Sequence, residues 1–303
     1  MYPFAEAMAS IGPFGGRVAS LVMDQKDSNA IYAGTQSGGV YKSTNGGANW
    51  SETGLTNGFI NALAMDPKDS DTIYAATSFG VFKSTSGGET WSDRGPSRFL
   101  EINALAIDPN DSNTIYAGSV RAGSAEAGVY KSTDGGARWL EINFGLSLVM
   151  DPDDSSTIYA GTREGGVFKS TNAGASWSEA NNGLSNRSIP SLAIDPNDSN
   201  TIYAGTSRGV FKSTNGGSLW SGTALTDQLI FSLAIDPENS HTIYAGTSNG
   251  VFKSSNGGVW SNVGLIGRYI ESLIIDAKDS NTIYAGTFGN GIYASYDGGQ
   301  TWN

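Results

Sequence analysis

The feature that most constrains this chain is that it repeats. A phrase close to Asp-Pro-x-Asp-Ser-x-Thr-Ile-Tyr-Ala-Gly-Thr begins at Asp24, Asp66, Asp108, Asp151, Asp195, Asp236 and Asp276. A second phrase, read as STNGGANW at 43–50, follows each time, starting at Ser43, Ser84, Ser132, Ser170, Ser213, Ser254 and Ser295. Successive units are 40 to 44 residues apart. Each carries four short strand-like runs, SLAID, TIYAGT, GVFKS and a run beginning at Trp, here called A to D. Four strands in such a period is the signature of a β-propeller blade. The sequence therefore predicts an all-β fold, a single seven-bladed propeller of four-stranded antiparallel blades. A parallel β-helix is the rival, but its coils are shorter and lack these hairpin turns.

The expected propeller spans residues 1–303, with repeats beginning near 17, 59, 101, 144, 188, 229 and 269 and residues 1–16 closing the ring. In SLAID the large Leu and Ile fall on one face and Ser and Ala on the other. Strand A would thus set a bulky face against the small face of the next blade. After Trp302 only Asn303 remains, so the last blade lacks most of strand D. Counting back from Asp24 aligns Met8-Ala9-Ser10-Ile11 with Trp50-Ser51-Glu52-Thr53. The N-terminal segment is expected to complete blade 7.

Composition closes off several function classes. There is no cysteine, hence no disulfide framework, thiolate metal site or thiol nucleophile. The net charge of −11 argues against nucleic acid as partner. No apolar run has the length of a membrane span, and the start, MYPFAEAMAS, lacks the marks of a signal peptide. The one histidine, His241, stands in an A–B turn, so a Ser-His-Asp mechanism has no base on the opposite face. No metal or other cofactor is expected: the DPxDSxT aspartates are read as turn caps, with Pro fixing φ.

The second phrase lies between strands C and D. Asn or Asp followed by Gly suits a tight turn needing positive φ, and the Trp, seven residues after the opening Ser in six units and six after it in the Ser254–Trp260 unit, reads as an apolar plug between blades. Ser-x-(Asp/Asn)-x-Gly-x-x-Trp resembles the Asp-box, or BNR, repeat of sialidases, sortilin-type receptors, xyloglucanase-type glycoside hydrolases and a photosystem II assembly factor. The resemblance covers essentially the whole chain. It implies a propeller whose boxes lie on the periphery, and an extracytoplasmic location.

The connections differ in how much they vary. Asp-to-Tyr spacing across the A–B turns is eight in all seven units, whereas Tyr-to-Ser spacing across the B–C turns runs from 10 to 16. The A–B and C–D side is the bottom of a propeller; the B–C and D–A side is the top. Variable loops on a fixed frame are where binding concentrates. Arg17, Arg98, Arg121, Arg163, Arg187, Arg208 and Arg268 fall in top connections. Seven residues before each repeat Asp stand Arg17, Phe59, Glu101, Phe144, Ser188, Leu229 and Tyr269, which should ring the channel mouth. Aromatic residues and Arg are the types that anchor interfaces.

The residues therefore point to a non-catalytic binding or assembly module. Its expected ligand-binding set is Arg17, Phe59, Arg98, Arg121, Phe144, Arg163, Arg187, Arg208, Arg268 and Tyr269, facing a protein segment or another anionic ligand. The alternative is a carbohydrate-active protein, a lectin or glycoside hydrolase that takes a glycan. A glycosidase needs two carboxylates across a cleft, for which the top offers Glu101, Glu126, Glu164 and Asp227. The resemblance implies an Asp before the Gly-Gly pair in such enzymes. Here the matching loops read Thr35-Gln36-Ser37-Gly38-Gly39 and Thr162-Arg163-Glu164-Gly165-Gly166. The sialidase signature is echoed only by Arg187-Ser188-Ile189-Pro190.

Overall fold

The structure is a computed structural model that describes residues 10–13, 16–56, 58–95, 101–119, 128–143 and 146–303. It is a seven-bladed β-propeller. Six blades are four-stranded antiparallel sheets in simple A-B-C-D order, and the seventh has three named strands. Blade 2 is representative, with strands Ile60–Met65, Ile73–Thr77, Gly80–Ser84 and Ser92–Asp93. The Ile-Tyr-Ala core of strand B is buried in every blade, as at Ile73–Thr77, while in blades 5 and 7 the strand begins earlier, with exposed residues at Asp198 and Asp279. That burial follows from its position, with a strand on either side and a blade over either face. Its run puts Ile, Ala and Thr on one face and Tyr with Gly or Ala on the other, so each face pairs a large side chain with a small one.

The core is divided into seven clusters, one in each seam between blades. Between blades 1 and 2, Tyr32, Val40 and Val22 meet Ile60, Leu63, Met65, Ile73 and Trp91. The bulky face of strand A therefore packs on the preceding blade, not the next one as the periodicity suggested. Alternation fixes which residues share a face; the path of the chain around the ring decides which neighbour that face meets.

Polar contacts fasten five of the seven seams at two radii. Near the axis, a turn serine donates to the repeat Asp of the preceding blade: Ser28 to Asp276, Ser112 to Asp66 and Ser155 to Asp108. At the periphery, Tyr32 and Lys42 of blade 1 both donate to the Gly87 carbonyl in the box of blade 2. The pattern recurs with Tyr159, Lys169 and Gly216 and with Tyr244, Lys253 and Gly298. In six seams a lysine ammonium lies 5.0 to 5.3 Å from its tyrosine ring centre. Burial pushes the Tyr32, Tyr74, Tyr116, Tyr159, Tyr244 and Tyr284 hydroxyls above their ordinary pKa, which keeps them donors.

The box is thus scaffold. Ser43 Oγ accepts from Gly47 N–H, and Asn45 Oδ1 from Asn49 N–H, both at 2.8 Å. Gly46 and Gly47 have φ of 65° and 85°, and blade 4 carries Ala173 in the same left-handed region at 54°. Each box Trp packs into the seam with the preceding blade, Trp220 and Trp302 most deeply. Trp220 and Trp302 Nε1 donate to Ala180 and Val263 carbonyls there.

Closure is composite. Asn303 exchanges two 2.8 Å backbone bonds with Ala294, then Ile11 donates to Ile292 and Gly12 accepts from it. Ile11 N–H bonds Ile292 as Thr53 N–H bonds Val40, so the Ile11–Thr53 alignment holds. The Trp position of this blade is filled by Trp302; Met8, aligned with that position in the sequence, lies outside the described residues. Among the described residues there is no helix, and none long and apolar enough to cross a membrane.

Candidate functional site

At the top of the ring strand A is bulged. In blade 2, Ile60 pairs with Thr77 and Ala62 with Ala76, leaving Asn61 outside the ladder. The same slip occurs at Ala19, Asn103, Phe231 and Glu271. A bulge re-aims a side chain: Asn103 stays on its own blade, with Nδ2 on the Glu101 carbonyl at 3.4 Å, whereas Asn61, Phe231 and Glu271 reach the following blade. Asn61 Nδ2 donates to the Ile102 carbonyl at 3.0 Å, Phe231 packs on Tyr269, and Glu271 meets Arg17.

These contacts assemble a row across blades 6, 7 and 1. The ring centres of Phe231 and Tyr269 are 6.0 Å apart and tilted by 42°; those of Tyr269 and Phe288 are 6.2 Å apart and tilted by 51°. The Arg17 guanidinium lies 5.2 Å from the Phe288 ring centre. Tilted aromatic pairs and a cation over a ring face are both favourable geometries. Tyr269 and Phe288 are half exposed, at 50% and 55%. Arg17 itself is committed: Nη2 is 2.8 Å from Glu271 Oε2 and Nη1 is 3.1 Å from Gln36 Oε1. The Glu271 side chain is only 8% exposed, so this is a charge-assisted pair that fixes the row's end. The backbone holds the row to its frame, with Phe288 N–H on the Tyr269 carbonyl and Gln36 N–H on that of Arg17.

The remaining arginines divide. Arg163 and Arg208 are exposed in the B–C turns of blades 4 and 5, with no ion-pair partner among the described residues. Arg187 lies 3.5 Å from Glu179 on strand D of its own blade. Arg268 lies over the Tyr293 ring at 4.7 Å, at the seam between blades 6 and 7. Phe59 is exposed on blade 2, as is Phe79 in its B–C turn. Arg98, Arg121, Phe144 and Glu126 lie outside the described residues.

Glu101, Glu164 and Asp227 are exposed and belong to different connections, with no hydrogen bond or ion pair joining any two of them. Glu164 sits in a turn capped by Thr162 Oγ1, and Asp227 has φ of 58°. His241 is exposed at the bottom, and no group of three or more potential metal-ligating His, Cys, Asp or Glu side chains occurs among the described residues.

Phe231, Glu271 and Gln36 were missed by sequence reasoning. The available signal was the position five residues before each repeat Asp, occupied by Ala19, Asn61, Asn103, Leu146, Pro190, Phe231 and Glu271. It varies while the next positions stay close to Ser-Leu-Ala. Alternation alone puts this residue within a seam; the bulge turns it to the mouth.

No family model matches the chain, and no curated protein matches it. Solved structures do. An ancestral GH74 enzyme is 22% identical with a TM-score of 0.79, over 96% of this chain and 46% of the enzyme. The GH74 xyloglucanase from Xanthomonas campestris is 20% identical with a TM-score of 0.76, over 96% of this chain and 53% of the enzyme. The chain thus spans about half the length of these enzymes. A structure of YCF48 bound to D1 peptide is 14% identical with a TM-score of 0.70, over 98% of this chain and 97% of that one. At these identities the likeness is one of fold.

Proposed function

We propose that this propeller is a non-catalytic binding module that holds an extended protein segment across the top mouth of the ring. The segment's apolar side chains rest on Phe231, Tyr269 and Phe288, and its carboxylates meet Arg163 and Arg208. The observation that carries this reading is the half-exposed aromatic row ending in the Arg17–Glu271 pair. Rigid aromatic surface on blades 6, 7 and 1, with exposed guanidinium groups on the B–C turns of blades 4 and 5 that have no ion-pair partner among the described residues, suits a peptide that is apolar at one end and acidic at the other. Arg17, already paired with a carboxylate, positions Phe288 instead of capturing an anion. The YCF48 structure with a peptide supports the reading by analogy of fold.

A second reading rests on the same row: exposed tilted rings also suit the faces of sugars, and the GH74 enzymes share the fold. One experiment separates the two. A peptide array and fluorescent polysaccharides are offered to the protein, and both retention and chain shortening are followed. Acidic-apolar peptides are expected to bind, with Tyr269→Ala weakening them at least tenfold and Arg163→Glu/Arg208→Glu abolishing the preference for acid. Unchanged affinity in that double variant sinks the top-face assignment. Retention of polysaccharide alone makes the protein a lectin, and shortening that disappears in Glu164→Gln makes it an enzyme.

A further inference from the structure

At the other end of the ring, the seven strands A enclose an open well of about 670 Å³. Every blade gives its wall an apolar side chain: Met23, Met65, Ile107, Met150, Ile194, Ile235 and Ile275 are only half-buried. Five prolines continue that wall outward, and Gln25 and Ala277 take the proline position on blades 1 and 7. A contiguous apolar surface of this kind marks an interaction site. Three of its seven half-buried positions are methionine, the side chain best able to adapt to varied apolar partners.

The charge around the well is one-sided. The seven A–B turns hold fifteen aspartates and Glu238 against Lys26, Lys68 and Lys278. The lysines are tied into the frame: Lys278 Nζ donates to the Lys26 carbonyl, Lys26 to that of Lys68, and Lys68 to that of Asn110. The corresponding positions on blades 4 and 6 are Asp153 and Glu238, both exposed. Their nearest described partners, the serines Ser199 and Ser280, are 3.5 and 3.4 Å away. An apolar well inside an acidic rim complements a basic, apolar-tipped segment, and the field of the whole turn ring favours the cation's approach.

We infer that the bottom mouth is a second docking site, which takes a short run of aliphatic or aromatic side chains flanked by Lys or Arg, with the basic groups on Asp153 and Glu238. The site is independent of the top face, and its partner is a different chemical class. The protein would then hold an acidic segment on one face and a basic one on the other.

The test uses the full chain labelled with ¹³C at the methionine methyls, so that Met23, Met65 and Met150 report from the wall. The probe is the capped peptide Lys-Lys-Leu-Phe-Leu-Lys, beside its counterpart with Glu in place of each Lys. The basic peptide is expected to move those three signals to saturation, with affinity falling as salt rises. Ala277→Trp, an exposed substitution that plugs the well, and Asp153→Lys/Glu238→Lys should each weaken binding at least tenfold. Arg163→Glu/Arg208→Glu should leave it unchanged, so the two sites fail separately. Unmoved methyl signals, equal movement by the acidic peptide, or full binding in Ala277→Trp overturns the proposal.

Discussion

Asp297 accepts a 2.6 Å bond from the Thr301 hydroxyl and a 2.8 Å bond from its amide, which hold the carboxyl at about 2. Asp111, Asp154, Asp198 and Asp279 are also held below the usual carboxylate range, chiefly by hydroxyls of the turns they close. A carboxyl depressed in the folded state adds stability above its unfolded pKa and loses it as pH falls through the folded value. For Asp297 that window runs from the ordinary 3.8 down to about 2. Asn holds the box position in blades 1, 4, 5 and 6, so Asp297→Asn should fold normally. Its Tm should fall less than that of the parent between pH 4 and pH 2, and an unchanged slope would remove Asp297 from the account. The residue scale is also where sequence reading was strongest. The box bonds follow from an acceptor two residues past a serine and a glycine that tolerates positive φ.

Each seam combines a box Trp, a strand-B Tyr and, in six cases, a Lys. Trp220 is 2% exposed and fills the contact between blades 4 and 5 while bonding the Ala180 carbonyl. Trp220→Ala should cost about 3–5 kcal/mol, by analogy with large-to-small core changes, measured as a loss of unfolding free energy in urea. A cost below about 1 kcal/mol would mean that the seam collapses around the gap. The seam between blades 7 and 1 is built differently. Ala294 stands where the others have lysine, so Tyr284 donates to the Gly46 carbonyl without a lysine beside it, and the buried Trp50 Nε1 has no partner among the described residues. None of this is visible in one repeat; it emerges on comparing the last unit with the other six.

Across the whole ring, that seam is also where the outermost strand comes from both chain ends. Removing residues 1–12 takes away the Ile11 and Gly12 bonds to Ile292 and uncovers apolar surface around Gly47 and Tyr284. The expected loss is several kcal/mol, roughly what uncovering one or two large side chains costs, read as a lowered Tm. Hydrogen exchange should locate it, with the Ile292 amide speeding up ahead of its counterparts Val40 and Val81. Uniform exchange across the seven blades would count against a weak closing seam.

Period, turn chemistry and alternation determined blade number, strand order, scaffold boxes and the N-terminal clasp from the sequence alone, because each is set by contacts within one repeat or between identical repeats. Arg17, Phe59 and Tyr269 were legible as equivalent positions just before strand A for the same reason: their distance from a fixed Asp is constant. The tertiary structure decided what those residues meet. The bulge that aims Phe231 and Glu271 at the next blade, the carboxylate that occupies Arg17, and the stacking that draws Arg268 onto Tyr293 all join different blades. The apolar well at the opposite mouth exists only because seven half-buried side chains converge on one axis. A repeat fixes what each blade offers, and only ring closure fixes what stands opposite it.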